Sequence, residues 1–158
     1  MGKVLSVFDN GFPGAISRSV DDIVITLKNT SANPVPFGAA VFLDTGGGGV
    51  PVSANSAFDR FVGFAVRAAE KTPEEYTASR AEWLPGDIME VLVRGTVLVP
   101  SMSESPTPGD AVYLRKTDGK VTGQDGSGAN IALANCRFRK APAAAGVAEV
   151  VVMNRNIQ

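Results

Sequence analysis

Asp44, Thr45 and Gly46 follow the apolar run Ala39-Ala40-Val41-Phe42-Leu43, the order in which the catalytic loop of an aspartic protease opens. That chemistry needs two carboxylates sharing one proton across a two-fold axis, so a chain with one such loop has to act as a dimer. The supporting residues are missing. Those enzymes follow the triad with Ala or Ser, where this chain has Gly47, Gly48 and Gly49. The downstream apolar-apolar-Gly element, Phe61-Val62-Gly63, runs on into Phe64 and Ala65 without the polar residue the pattern requires. Four consecutive glycines also hold a carboxylate poorly. The stretch reads better as a mobile hairpin tip, between a strand ending near Asp44 and one starting near Val50.

The remaining reactive groups are few. The chain has no histidine and a single cysteine, Cys136. Disulfide frameworks, the common zinc sites and the Ser-His and Cys-His nucleophile pairs are therefore excluded, along with most acid-base chemistry near neutral pH. The glycine run lacks the Gly-Lys-Ser/Thr that completes a phosphate loop. Asp21 with Asp22, and Glu74 with Glu75, are sequence neighbours, which do not face one point on a strand or a helix; they read as solvated charge. The segment KTDGKVTGQDGSG, with Asp118 and Asp125, lacks the terminal bidentate Glu of a calcium loop and has the make-up of a two-turn hairpin. Neither enzymatic activity, nor a metal, nor a cofactor is expected.

Composition limits the partners. The net charge is −1, with 15 basic residues spread along 158, which leaves no electrostatic footprint for nucleic acid or an anionic membrane. No apolar run approaches the roughly 20 residues of a membrane-spanning helix, and the N-terminus has no signal-like apolar stretch. The expectation is a soluble protein made in the cytoplasm.

The elements that position these residues read as strands. Seventeen glycines and ten prolines punctuate short apolar segments in an all-β rhythm. In residues 88–99, Met89, Val91, Val93, Gly95, Val97 and Val99 share one parity, which predicts a strand with one clean core face and a bend or bulge at Gly95. In residues 136–140, Cys136 and Phe138 point inward and Arg137 and Arg139 outward, so the thiol is expected to be a small buried hydrophobe. Ala148, Val150 and Val152 share the core face of a C-terminal strand.

Three segments enter a strand from a proline turn, at Pro36, Pro85 and Pro108; in the two Pro-Gly-Asp copies, proline presets the first turn angle and glycine supplies the positive φ of the second. Thr72, Pro73, Glu74 and Glu75 make a capping box, predicting one short helical excursion that ends in a loop carrying Trp83. Residues 1–35, with the turn Phe12-Pro13-Gly14, read as an extended N-terminal arm on a single barrel-like or sandwich domain spanning 36–158. In the arm Ile23, Ile25 and Leu27 share one face, and Val24 and Thr26 the other. This segment either adds a strand to a neighbour's sheet or is an internal edge strand.

Several short segments, in order, resemble the structural cement, or decoration, proteins of tailed-bacteriophage capsids. They are Gly11-Phe12-Pro13-Gly14, Val35-Pro36-Phe37-Gly38-Ala39-Ala40-Val41, Phe61-Val62-Gly63-Phe64-Ala65-Val66-Arg67, Leu84-Pro85-Gly86-Asp87 ahead of Val91-Leu92-Val93-Arg94-Gly95, Pro108-Gly109-Asp110-Ala111-Val112-Tyr113, and the strand from Gly146 to Val152. The resemblance implies a β-barrel-like homotrimer on the outer capsid surface of the virion, bound to the major capsid protein and using its arm to reach neighbours. The 46–49 glycine tip and the 71–83 excursion depart from the family's pattern. Candidate subunit or capsid contacts are Phe12, Pro13, Ile23, Val24, Ile25, Leu27, Arg137 and Arg139. A reading from another class is a carbohydrate- or receptor-binding β-module of a phage particle, with Trp83 and Tyr76 as an aromatic platform.

Overall fold

The computed structural model describes residues 13–67, 81–102, 105–140, 142 and 146–156, the side chains of 18–20 excepted. Among these are eleven strands: β1 (Ile16–Lys28), β2 (Val35–Pro36), β3 (Ala40–Leu43), β4 (Gly49–Pro51), β5 (Phe61–Ala65), β6 (Glu82–Trp83), β7 (Ile88–Pro100), β8 (Ala111–Leu114), β9 (Val121–Thr122), β10 (Ile131–Lys140) and β11 (Val147–Val152). Nine of them form one sheet in the order β4-β3-β5-β7-β11-β10-β8-β9, with β1 also paired to β7. The sheet curls into a half-barrel. A separate two-stranded ladder joins β2 to β6. The capped helix expected from Thr72 lies outside the described residues; the helical turn that is described is a single 3-10 turn at Phe58–Arg60.

β7 is the hub. Its thirteen residues pair antiparallel with β1, β5 and β11. The alternation read from the sequence breaks at Gly95, which sits at φ +122°. Met89, Val91 and Val93 enter one core, whereas Val97 and Val99 join Leu92 in another. The expectation of a single clean face is thereby corrected, because an irregular residue in a strand shifts which parity faces which side. The expected irregularity at Gly95 and the expected single face were incompatible, and the irregularity, a positive φ, is what forms. On the opposing strand the register also slips between Arg18 and Ile23, and a Cβ at Gly95 would overlap Asp22.

The main core holds Phe42, Phe61, Phe64 and Phe138 with aliphatic side chains from β7 to β11. Phe42–Phe61 and Phe61–Phe64 meet edge to face, at centroid separations of 5.7 and 5.4 Å. The second core gathers Val35, Phe37, Val41, Val62, Trp83, Met89, Val91 and Val93. Each buried ring contributes about 1.5–3 kcal/mol, against about 0–1 kcal/mol for an exposed ion pair. The molecule is therefore held from its two interiors and not by its surface charges.

The Pro-Gly-Asp segments do what their composition predicts, and in the same way. Asp87 N–H donates to Leu84 O at 3.0 Å, and Leu84 N–H donates to Asp87 Oδ2 at 2.8 Å. Asp110 N–H and Thr107 O, with Thr107 N–H and Asp110 Oδ2, repeat the pair at 3.1 and 2.7 Å. The parities read for 136–138 and 148–152 also hold: Cys136, Phe138, Ala148, Val150 and Val152 all lie in the main core.

Residues 23–28 pair within their own chain, from Ile23 opposite Arg94 to Lys28 opposite Ile88. At the end of β1, buried Asn29 donates from Nδ2 to Asn33 O (3.0 Å) and Trp83 O (3.2 Å) and accepts from the Ser31 hydroxyl (2.8 Å). Its backbone is bonded both ways to the 84–87 turn, through Gly86 N–H and Asp87 O. The root of the N-terminal segment is held too. Gly14 N–H donates to Leu98 O at 2.7 Å and Arg67 N–H to Gly14 O at 2.9 Å. Gly14 and Gly38 touch so closely that a Cβ on either would press on the other's backbone nitrogen.

Candidate functional site

Asp44 occupies the β3–β4 connection, as the hairpin reading requires. Its carboxylate accepts from Thr30 Oγ1 at 2.6 Å, Gly46 N–H at 2.8 Å and Thr45 Oγ1 at 3.0 Å. These donors, Thr30 foremost, hold its pKa below the usual value. A protease dyad needs a carboxyl that keeps a proton, and this one is arranged to lose it. The tip is less free than the sequence suggests: a Cβ at Gly48 would overlap Thr30, and Thr30 N–H donates to Gly49 O at 3.2 Å. The glycines allow the turn to lie against the end of β1.

Cys136 is fully buried in the main core, and burial pushes its thiol well above the ordinary range, with nearby Arg137 opposing the shift. It is not a nucleophile. Asp118 and Asp125 serve the connections of β9. Asp118 accepts from Lys120 N–H and pairs with Arg115 at 3.4 Å; Asp125 accepts from Ser127 N–H at 3.0 Å. Among the described residues, no cluster of three or more acidic or thiol side chains could hold a metal. No helix there is long and apolar enough to cross a membrane.

Trp83 lies 8 % exposed, donates its indole N–H to Val66 O at 3.0 Å, and meets Phe37 edge-on at 5.7 Å. It covers the second core and presents no open stacking face. Tyr76, the other half of the aromatic platform, lies outside the described residues.

The expected contact residues fall in different places. Phe12 lies outside the described residues. Pro13 is half-buried beside Gly38. Ile23, Ile25 and Leu27 pack partly buried against the second core, while Val24 faces outward at 40 % exposure. Arg137 curls back onto its own strand, donating to Cys136 O at 2.7 Å. Arg139 stands exposed at an open groove shared with Asp21, Asp22, Arg94 and Met153. β1, β7, β10 and β11 meet there. Arg94 pairs with Asp21 at 2.5 Å. Asp22 Oδ1 is buried and has no hydrogen-bond partner among the described residues. The sequence offered no signal for this grouping, because it arises from the pairing of β1 with β7, of β7 with β11 and of β11 with β10.

The sites described are thus turns, caps and one polar groove, with no arrangement of nucleophile, base and oxyanion donors. Comparison with solved structures finds the same fold in a chain from "The capsid of Myoviridae Phage XM1". That chain is 22% identical, with a TM-score of 0.76, and the match covers 98% of this chain and 97% of that one. No curated protein matches this sequence. The family model described as "Structural cement protein (E217 gp24/Pam3 gp6)" matches residues 4–153. The protein described here belongs to this phage structural cement family, whose members are non-enzymatic components of the virion capsid.

Proposed function

We propose that the chain binds the outer surface of the capsid as a trimer, with the major capsid protein as its partner, and that binding stabilises the shell. The observation that supports this most is the family match over residues 4–153, which takes in both the N-terminal segment and the half-barrel. The physics fits. A cement protein needs stiffness and repeated lateral contact, and a trimer meeting three shell subunits makes each later contact intramolecular, so modest sites sum to lasting attachment. In this reading residues 1–35 are the arm, anchored through the pairing of β1 with β7 to the body formed by 36–158. Phe12, Pro13, the outward Val24 and Arg139 are the contacts we favour within the wider set Ile23, Ile25, Leu27 and Arg137.

The test is addition of purified protein to expanded shells lacking it, followed by imaging and thermal disruption. The expected result is added density on the outer surface and a higher disruption temperature. Shells that stay bare, or bind it without gaining stability, overturn the reading. Glycan or receptor binding has no comparable support, since Trp83 is spent on the second core.

A further inference from the structure

We propose that the link between Asp125 and Gly126 is a modification site, where the exposed loop between β9 and β10 rearranges without an enzyme from an aspartyl to an isoaspartyl linkage through a cyclic imide. The described residues hold two Asp-Gly pairs, Asp118-Gly119 and Asp125-Gly126, one on each side of β9. In such a pair the glycine nitrogen attacks the aspartyl Cγ, since glycine has no side chain to block the approach. The N–Cγ bond forms, the Cγ–OH bond of the protonated carboxyl breaks, and the hydroxyl leaves as water with the amide proton. Water then adds to one of the two imide carbonyls. Addition at Cγ restores aspartate; addition at the original peptide carbon leaves the main chain running through Cβ and Cγ, one methylene longer. One water is lost and one is gained, with no redox partner.

The two pairs differ in what holds them. Gly119 N–H donates to Arg115 O at 3.0 Å, which engages the nitrogen, and the Asp118 oxygens are taken by Lys120 N–H at 3.2 Å and by Arg115 at 3.4 Å. Gly126 N–H makes no hydrogen bond among the described residues. Asp125, Gly126 and Ser127 are all exposed, so water reaches the imide. Ser127 N–H donates to Asp125 Oδ1 at 3.0 Å, which folds the carboxyl back across Gly126 toward the attacking nitrogen. The same donor sits on an oxygen where negative charge gathers as that nitrogen adds. One pair is thus locked and the other is poised. The inference needs no capsid, so it stands or falls apart from the reading above.

Incubation of the full chain in mildly acidic buffer at body temperature, followed by peptide mapping with isoaspartyl-specific methyl transfer, tests it. The native chain gains isoaspartate at position 125 at least about tenfold faster than at 118, and in urea, where both loops are released, the two rates come within about threefold. The urea arm separates the fold from the dipeptide. No isoaspartate at 125, equal or faster conversion at 118 in the native chain, or a preference for 125 that persists undiminished in urea would each overturn the proposal. Asp125→Asn and Asp118→Asn give a second reading by mass, because the imide then releases ammonia and the product gains about 1 Da. The native Asp125→Asn chain converts faster than the native Asp118→Asn chain; equal rates overturn the assignment.

Discussion

Replacing Gly95 by alanine tests the central joint of the fold. At φ +122° an L side chain is strained, which costs about 1–3 kcal/mol. The added Cβ also overlaps Asp22, and overpacking of this kind costs about 1–3 kcal/mol more. The expected loss is about 3–4 kcal/mol, or about 10 °C in Tm at roughly 2–4 °C per kcal/mol for a chain of this size. Asp22→Ala introduced beside Gly95→Ala removes the overlap and leaves the backbone strain. Asp22→Ala should therefore return about 1–2 kcal/mol more in the Gly95→Ala background than it gives alone, where it only removes an unpaired buried oxygen. Urea titration of the four proteins gives the cycle. A Gly95→Ala loss under about 1 kcal/mol would show that the strand does not need this backbone. A loss unrelieved by Asp22→Ala would show that the approach of β1 is not what the glycine permits.

Three further outcomes follow from the cores and the hairpin tip. Trp83→Phe should cost about 1–3 kcal/mol, because Val66 O is left without its buried donor; calorimetry showing no change would remove that bond from the account. Cys136, buried with its thiol held protonated, should react with a thiol reagent only as fast as the protein opens, and fast labelling of the native chain would contradict its place in the core. Asp44 titrates below its ordinary value. Its bonds thus support the fold above the unfolded-state pKa and are lost as pH falls through the lower, folded one. Thr30→Ala should raise the Asp44 pKa in an NMR titration, and an unchanged value would refute Thr30 as the main cause.

What could be read in advance was local. Pro85-Gly86-Asp87 and Pro108-Gly109-Asp110 specify their turns with residues a few positions apart, and period-two patterns place Cys136, Phe138 and Val150 because the neighbours they need lie on the same strand. The reading failed where the determinant was remote. Met89 and Val97 share a parity yet serve different cores, because Gly95 resets the strand beneath Asp22, more than seventy residues earlier in the chain. The 84–87 turn was legible, but not its bonds to Asn29. Ile23, Ile25 and Leu27 look free as a sequence and are half-covered by a core assembled from β2, β3, β5, β6 and β7. The groove had no sequence signature, since Asp22 and Arg139 are brought to it only through three strand pairings, β1 with β7, β7 with β11 and β11 with β10.

The three-way pairing of β7 also bears on how the protein reaches its destination. Its partners β1 and β11 come from the two ends of the described chain, so the sheet cannot close until nearly all of it has been synthesised. Long-range pairing of this sort is slow and exposes unpaired edges on the way. The sheet is thus a product of nearly the whole chain, and a fragment lacking β1 or β11 leaves an edge of β7 unpaired and open to other chains.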